Sequence, residues 1–144
     1  MFGCPIEIIL QPIDLDSAYE QQRGQYRAPA LLAKLESQGV SKDEKVLGIV
    51  DVDLYAPGLN FVFGQASMSS GVALISLCRL RGQPADKIKF LDRTTKEAIH
   101  ELGHTFGLEH CSDPKCVMHF SNSLQDTDSK QAIFCSNCRP KLVK

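Results

Sequence analysis

Residues 100–138 read HELGHTFGLEHCSDPKCVMHFSNSLQDTDSKQAIFCSNC and hold all four histidines and four of the six cysteines of the 144-residue chain. Eight side chains able to bind a metal therefore crowd into about a quarter of the sequence. Their spacing divides them into two sets of different chemistry, one suited to catalysis and one to structure.

His100 and His104 stand four apart in a stretch that reads as helix. That places them about 40° apart around the axis and one turn apart along it, so both imidazoles reach a single ion. A tetrahedral catalytic zinc takes three protein ligands and keeps the fourth position for water. Gly107 supplies the residue that ends the helix, and His110, three positions later, returns to the metal as the third ligand. Glu101 borders the open position, placed to take a proton from the water there. Glu109, one residue before His110, points elsewhere. Chance places the three fixed residues of HExxH in about one unrelated chain in fifty of this length, and requiring Gly107 and His110 as well lowers that by a further factor of about four hundred.

Cys111, Cys116, Cys135 and Cys138 form a C-x4-C pair and a C-x2-C pair joined by eighteen residues. This suits a closed four-thiolate zinc whose binding free energy is itself folding free energy. Two disulfides or a redox-active CxxC are the alternatives. Beyond Gly107 the chain is poor in core residues and needs such a staple. The expectation is two zinc ions per chain, one catalytic and one structural, coupled through the covalent His110–Cys111 link. Cys4 and Cys78 lie in or beside apolar runs and read as buried, inert thiols.

Working outward, the helix carrying His100 is expected over Thr95–Phe106, with Thr94 and Glu97 at the spacing of a capping box and Ile99, Leu102 and Phe106 on a flank facing a sheet. Upstream, Ile6 to Leu10 reads as a covered strand closed by Pro12. DLDSAYEQQRGQY is a weak helix interrupted by Gly24. A helix begins at Pro29, carries Ala30, Leu31 and Leu35 and stops at Gly39. Val46–Val52, Phe61–Ala66 and Val72–Leu80 are expected strands, with a turn at DVDLYAPG. Downstream, a short helix is expected near DTDSKQAIF. Together these predict an α+β fold, a mixed twisted sheet packed with helices.

The motifs resemble those of the metzincins, zinc peptidases in which HExxHxxGxxH is followed by a methionine turn. The continuation through Cys111, Cys116, Val117, Met118, Cys135 and Cys138 is similar to the archaemetzincin branch. RGQY, VDLY, LNFVFGQAS and SLCRL resemble it as well, so the likeness runs along nearly the whole chain. The resemblance implies a zincin-like single catalytic domain over residues 1–144: an upper sheet and helix part, 1–107, above a cleft, and a small irregular lower part, 108–144. It implies that Met118 forms an apolar floor under the three histidines and that the stretch from Phe61 to Ser67 is the sheet edge along which a substrate aligns. Where some metzincins carry a metal-binding tyrosine two residues after the methionine, this chain has Phe120, so no such ligand is expected. His119 reads as a solvent-facing or hydrogen-bonded histidine. Ser121 and Asn122 read as polar turn residues.

The function these residues point to is a zinc-dependent peptidase with Glu101 as general base. The alternative is a catalytically silent, zinc-stabilised module that binds peptides or proteins. Sixteen basic against seventeen acidic residues, with no basic stripe, argue against nucleic acid as a partner. The apolar runs are strand-sized, which argues against a membrane span. The first residues show no basic leader or cleavage site, so a cytoplasmic monomer acting on peptide or protein substrates is expected.

Overall fold

A computed structural model describes residues 1–82, 84 and 86–142. Its central strand is β6 (Val72–Ser76), every residue of which is buried. β3 (Val46–Val50) runs parallel to β6 on one side, and β5 (Gly64–Ser67) antiparallel on the other. An all-apolar strand such as VALI needs cover on both faces, and two glycines show what supplies it. A Cβ at Gly48, opposite Leu74, would meet the Leu35 side chain of α1 (Ala28–Ser37) at 2.7 Å. A Cβ at Gly64, opposite Ile75, would meet Glu101 of α2 (Lys87–Thr105) at 2.9 Å. The two helices thus sandwich the sheet.

The upper core gathers Leu31, Leu32 and Leu35 of α1 with Val50, Val72 and Leu74. Full burial of side chains such as Leu31 and Leu74 contributes about 1.5–3 kcal/mol each. Pro29 in the first turn of α1 and Gly39 at φ +83° just past it are the start and stop signals read from the sequence. A second small sheet, with strand order β1 (Tyr19–Glu20), β2 (Gln25–Arg27), β4 (Leu54–Tyr55), lies beside the first. An isolated bridge between Leu54 and Val62 ties β4 to the segment that leads into β5.

Several elements differ from the sequence-based expectation. Ile6–Leu10 forms no strand and is exposed, Leu10 at 95%. Pro5 and Pro12 bracket the run and withhold ladder donors, and the chain before it is anchored elsewhere, with Phe2 stacked on Phe106 at 4.8 Å and edge-on to Phe134. The weak helix expected over DLDSAYEQQRGQY is a short 3-10 turn followed by the β1–β2 hairpin, with Gly24 at φ +65° in its turn. The expected turn at DVDLYAPG contains β4. The strand expected to reach Leu80 stops at Ser76, whose hydroxyl accepts the Cys78 N–H. Cys78 therefore lies beyond the sheet and is exposed, as is Cys4, so neither is the buried thiol that was expected.

The zinc-motif helix α2 is longer than expected, and its cap is Asp86, which accepts the Ile88 and Lys89 N–H groups. Thr94 instead donates back to the Phe90 carbonyl, and Glu97 is buried against α3 (Leu124–Ser129). The flank expected to face the sheet packs downward: Ile99 joins the lower core of Leu108, Val117, Met118 and Phe134, and Phe106 stacks on Phe2. Among the described residues, no helix is long and apolar enough to cross a membrane.

Candidate metal centres

The last two turns of α2 carry His100, Glu101 and His104. The helix then closes as a Schellman motif: Gly107, at φ +96°, donates its N–H to the His104 carbonyl, and Leu108 donates to the Gly103 carbonyl. This reversal brings His110 back over the helix end. The three imidazole centroids form a near-equilateral triangle with sides of 4.8, 5.3 and 4.9 Å.

The proton on each helix imidazole is placed by backbone carbonyls, which can only accept. The His100 Nδ1 bonds to the Val117 carbonyl at 2.7 Å and the His104 Nδ1 to the Leu108 carbonyl at 2.7 Å. Both Nε2 atoms therefore present bare lone pairs, and they face each other at 3.2 Å. Two lone pairs at that separation repel unless a cation lies between them. Zinc–nitrogen bonds of about 2.0–2.1 Å at a tetrahedral angle place two nitrogens about 3.3 Å apart, so the donor set fits zinc. Desolvation, strongest at buried His100, holds all three imidazoles below their usual pKa and keeps them in the neutral, ligating form.

Glu101 is buried, and burial, with the nearby Glu97 carboxylate adding to it, raises its carboxyl well above the usual range. His119 is not part of the histidine cluster; its Nδ1 bonds to the Cys111 carbonyl. Glu109 is exposed and outside the cluster. The Phe120 ring lies 5.2 Å from that of His110. Asn122 is exposed, its backbone N–H bonded to Asp126, while Ser121 is buried with no partner for its hydroxyl among the described residues.

Cys111, Cys116, Cys135 and Cys138 converge as a second cluster. The Cys111 and Cys135 sulfurs are 3.8 Å apart. That is nearly twice a disulfide bond and close to the spacing of about 3.75 Å expected for two sulfurs at about 2.3 Å from a tetrahedral zinc. Backbone N–H groups of Met118 and Cys135 donate to the Cys116 sulfur, as they do to thiolates. Burial opposes ionisation at Cys135, but N–H groups of Cys138 and Asn137 outweigh it and bring the thiol to about 7, whereas burial and neighbouring thiols push Cys138 up. Four adjacent thiolates repel one another, and a dication is what allows all four to ionise.

Two glycines at these centres went unread in the sequence. A Cβ at Gly103 would lie 2.5 Å from the Met118 sulfur, so this position lets the fully buried Met118 pack against α2 between the two helix histidines. Gly64 lets the edge strand press on Glu101; a Cβ there would also collide with the Leu74 carbonyl oxygen. The available signal at Gly64 was a lone glycine inside an apolar strand, which marks a close approach. Gly64→Ala is expected to destabilise the protein by about 1–3 kcal/mol through overpacking, and chemical denaturation of the purified variant checks it.

Residues 4–144 match the family described as Peptidase family M54. The chain belongs to the archaemetzincins. The archaemetzincin of Pyrococcus furiosus is 51% identical in an alignment covering 98% of this chain and 77% of that protein. The crystal structure of the Methanopyrus kandleri archaemetzincin superposes with a TM-score of 0.80 at 49% identity, covering 88% of this chain and 69% of that one. A zinc-dependent peptidase from Methanocorpusculum labreanum gives a TM-score of 0.84 at 34% identity, over 95% of this chain and 83% of that one. Archaemetzincin membership confirms the α+β metzincin architecture and makes the chain a zinc metallopeptidase.

Proposed function

We propose that this archaemetzincin hydrolyses peptide bonds at the His100–His104–His110 centre with Glu101 as the general base, and that it holds two zinc ions, the second at the four cysteines. The observation that carries this reading is the pair of bare Nε2 atoms 3.2 Å apart, on the same helix as a buried carboxyl pressed against the sheet edge. Zinc, when bound there, supplies Lewis acidity toward a water and toward the scissile carbonyl.

The chain's own residues do the rest. Carbonyls of Val117 and Leu108 fix the imidazole tautomers. Glu101 takes the proton of the attacking water and returns it to the leaving amine. Met118 forms the apolar floor below the imidazoles, and Phe120 packs against His110.

Substrate backbone aligns along β5. The Ser76 N–H bonds to the Phe63 carbonyl, so in this antiparallel register residues 63, 65 and 67 face β6 while Gly64 and Ala66 turn their N–H and C=O groups outward. Val62 donates outward to the Leu54 carbonyl, which narrows the usable edge from the whole of residues 61–67 to Gly64–Ala66. Strand addition there lays a peptide beside Glu101. The substrate is a peptide or protein, taken by a monomer in the cytoplasm.

The test is digestion of a mixed peptide library by the zinc-loaded protein with mass-spectrometric mapping of the products. Cleavage that a hydroxamate suppresses is expected; an intact library after exposure to folded, zinc-loaded protein overturns the reading.

A further inference from the structure

Lys130 is the largest fully buried side chain among the described residues, and no motif accounts for it. Its ammonium lies 3.2 Å from Glu97 of α2, itself only 3% exposed, and donates to the His119 carbonyl at 3.1 Å. Glu97 also accepts the Thr127 hydroxyl at 3.0 Å, and Lys96 donates to the Thr127 carbonyl. The lysine follows directly on α3, so one nitrogen ties together the zinc helix, the end of α3 and the turn that runs from Met118 to Phe120.

Burying an ammonium and a carboxylate costs several kcal/mol per ion, and their mutual attraction seldom does more than offset it. Apolar side chains of the same volume would hold α3 on α2 at least as well. What an apolar pair cannot supply is a directed bond to the His119 carbonyl. That carbonyl belongs to the residue between Met118, packed on Gly103 beside the two helix imidazoles, and Phe120, in contact with His110. The Val117 carbonyl that orients His100 is two residues away.

We propose that Lys130 is a positioning residue. Through Glu97 and the His119 carbonyl it fixes the height of the 117–120 turn against α2, and with it the orientation of His100 and the packing of Met118 and Phe120 about the imidazoles. This rests on the reading of the three histidines as a metal centre and adds to it a residue that touches neither metal nor substrate.

The test uses full-length protein that carries cobalt(II) at the imidazole centre only. The cysteine centre is refilled with zinc, which has no d–d transitions, so that the bands of the cobalt left at the histidines report the imidazole site alone. Replacing a buried ion pair by apolar side chains often leaves stability unchanged or raised, so the double variant Glu97→Met, Lys130→Met is expected to stay folded. Its d–d bands are expected to shift and its imidazole-site cobalt to pass to a chelator at least about tenfold faster than in the parent, while the zinc at the cysteines is retained as in the parent. Lys130→Arg keeps charge and donors and is expected to give a smaller shift in the same direction. Parent-like d–d bands and chelation rates in these variants overturn the proposal, since a merely structural pair moves neither. Parent protein with no d–d bands at all would instead sink the metal-centre reading, so the two failures are distinguishable.

Discussion

Glu101→Ala is expected to lower kcat/KM for peptide cleavage by about 10²- to 10⁴-fold, the range for removing a positioned general base, while zinc content stays that of the parent. Glu101 is not one of the clustered residues, and His100 and His104 keep their carbonyl partners without it. Cleavage at the parent rate by zinc-loaded Glu101→Ala rules out the mechanism. A second expectation separates role from fold. Burial, with Glu97 nearby, raises the folded-state pKa of Glu101 above its unfolded value. A raised carboxyl contributes nothing below the unfolded pKa of about 4.3 and destabilises the folded state progressively as pH rises above it. Metal-free Glu101→Gln should therefore be more stable than the metal-free parent at neutral pH, with the difference vanishing below about pH 4. Thermal denaturation of both proteins across that range checks the sign. A carboxyl buried at the expense of stability is what a functional site leads one to expect.

The histidine cluster was legible in the sequence because its members are set by short covalent spacings. Four residues on a helix set His100 against His104, and a glycine followed by three residues brings in His110. Long-range pairing left weaker marks. The N-terminal half of α2 was missed because the face it buries is polar: Arg93 binds Asp128 in a bidentate pair and Lys96 and Glu97 meet α3, so no apolar stripe announces the helix. Glu97 stood at capping-box distance from Thr94, yet its partner is thirty-three residues away at Lys130. Ile6–Leu10 shows the converse error, since apolar character marks a candidate strand and says nothing of whether an edge is there to receive it. The carbonyls of Val117 and Leu108 that set the histidine tautomers belong to the backbone and have no sequence signal at all.

Cys116→Ser is expected to cost the protein both metals. The lower core rests on few apolar side chains, chiefly Leu108, Val117, Met118 and Phe134, and two of the four clustered cysteines, Cys116 and Cys138, are buried among them. Structural zinc sites contribute apparent binding free energies of about 10–16 kcal/mol, comparable to or larger than the about 5–15 kcal/mol by which a whole domain is stable. Losing one ligand should therefore open the segment after Gly107. That opening reaches the imidazole centre by two routes. His110 precedes Cys111 directly, and the Cys111 N–H bonds to the Met118 carbonyl at 3.0 Å, so the turn that orients His100 through Val117 hangs on the same loop. The dependence should run one way. His110→Ala removes a ligand but no core, and is expected to lose a single zinc while the cysteine site, its thiolate charge-transfer bands in the cobalt form and the near-ultraviolet circular dichroism all persist. Metal stoichiometry by mass spectrometry of the native protein, read beside circular dichroism, checks the asymmetry. A Cys116→Ser protein that keeps its imidazole-bound zinc and the parent Tm would show that the lower part folds on its side chains alone, and that the thiolate cluster supports nothing above it.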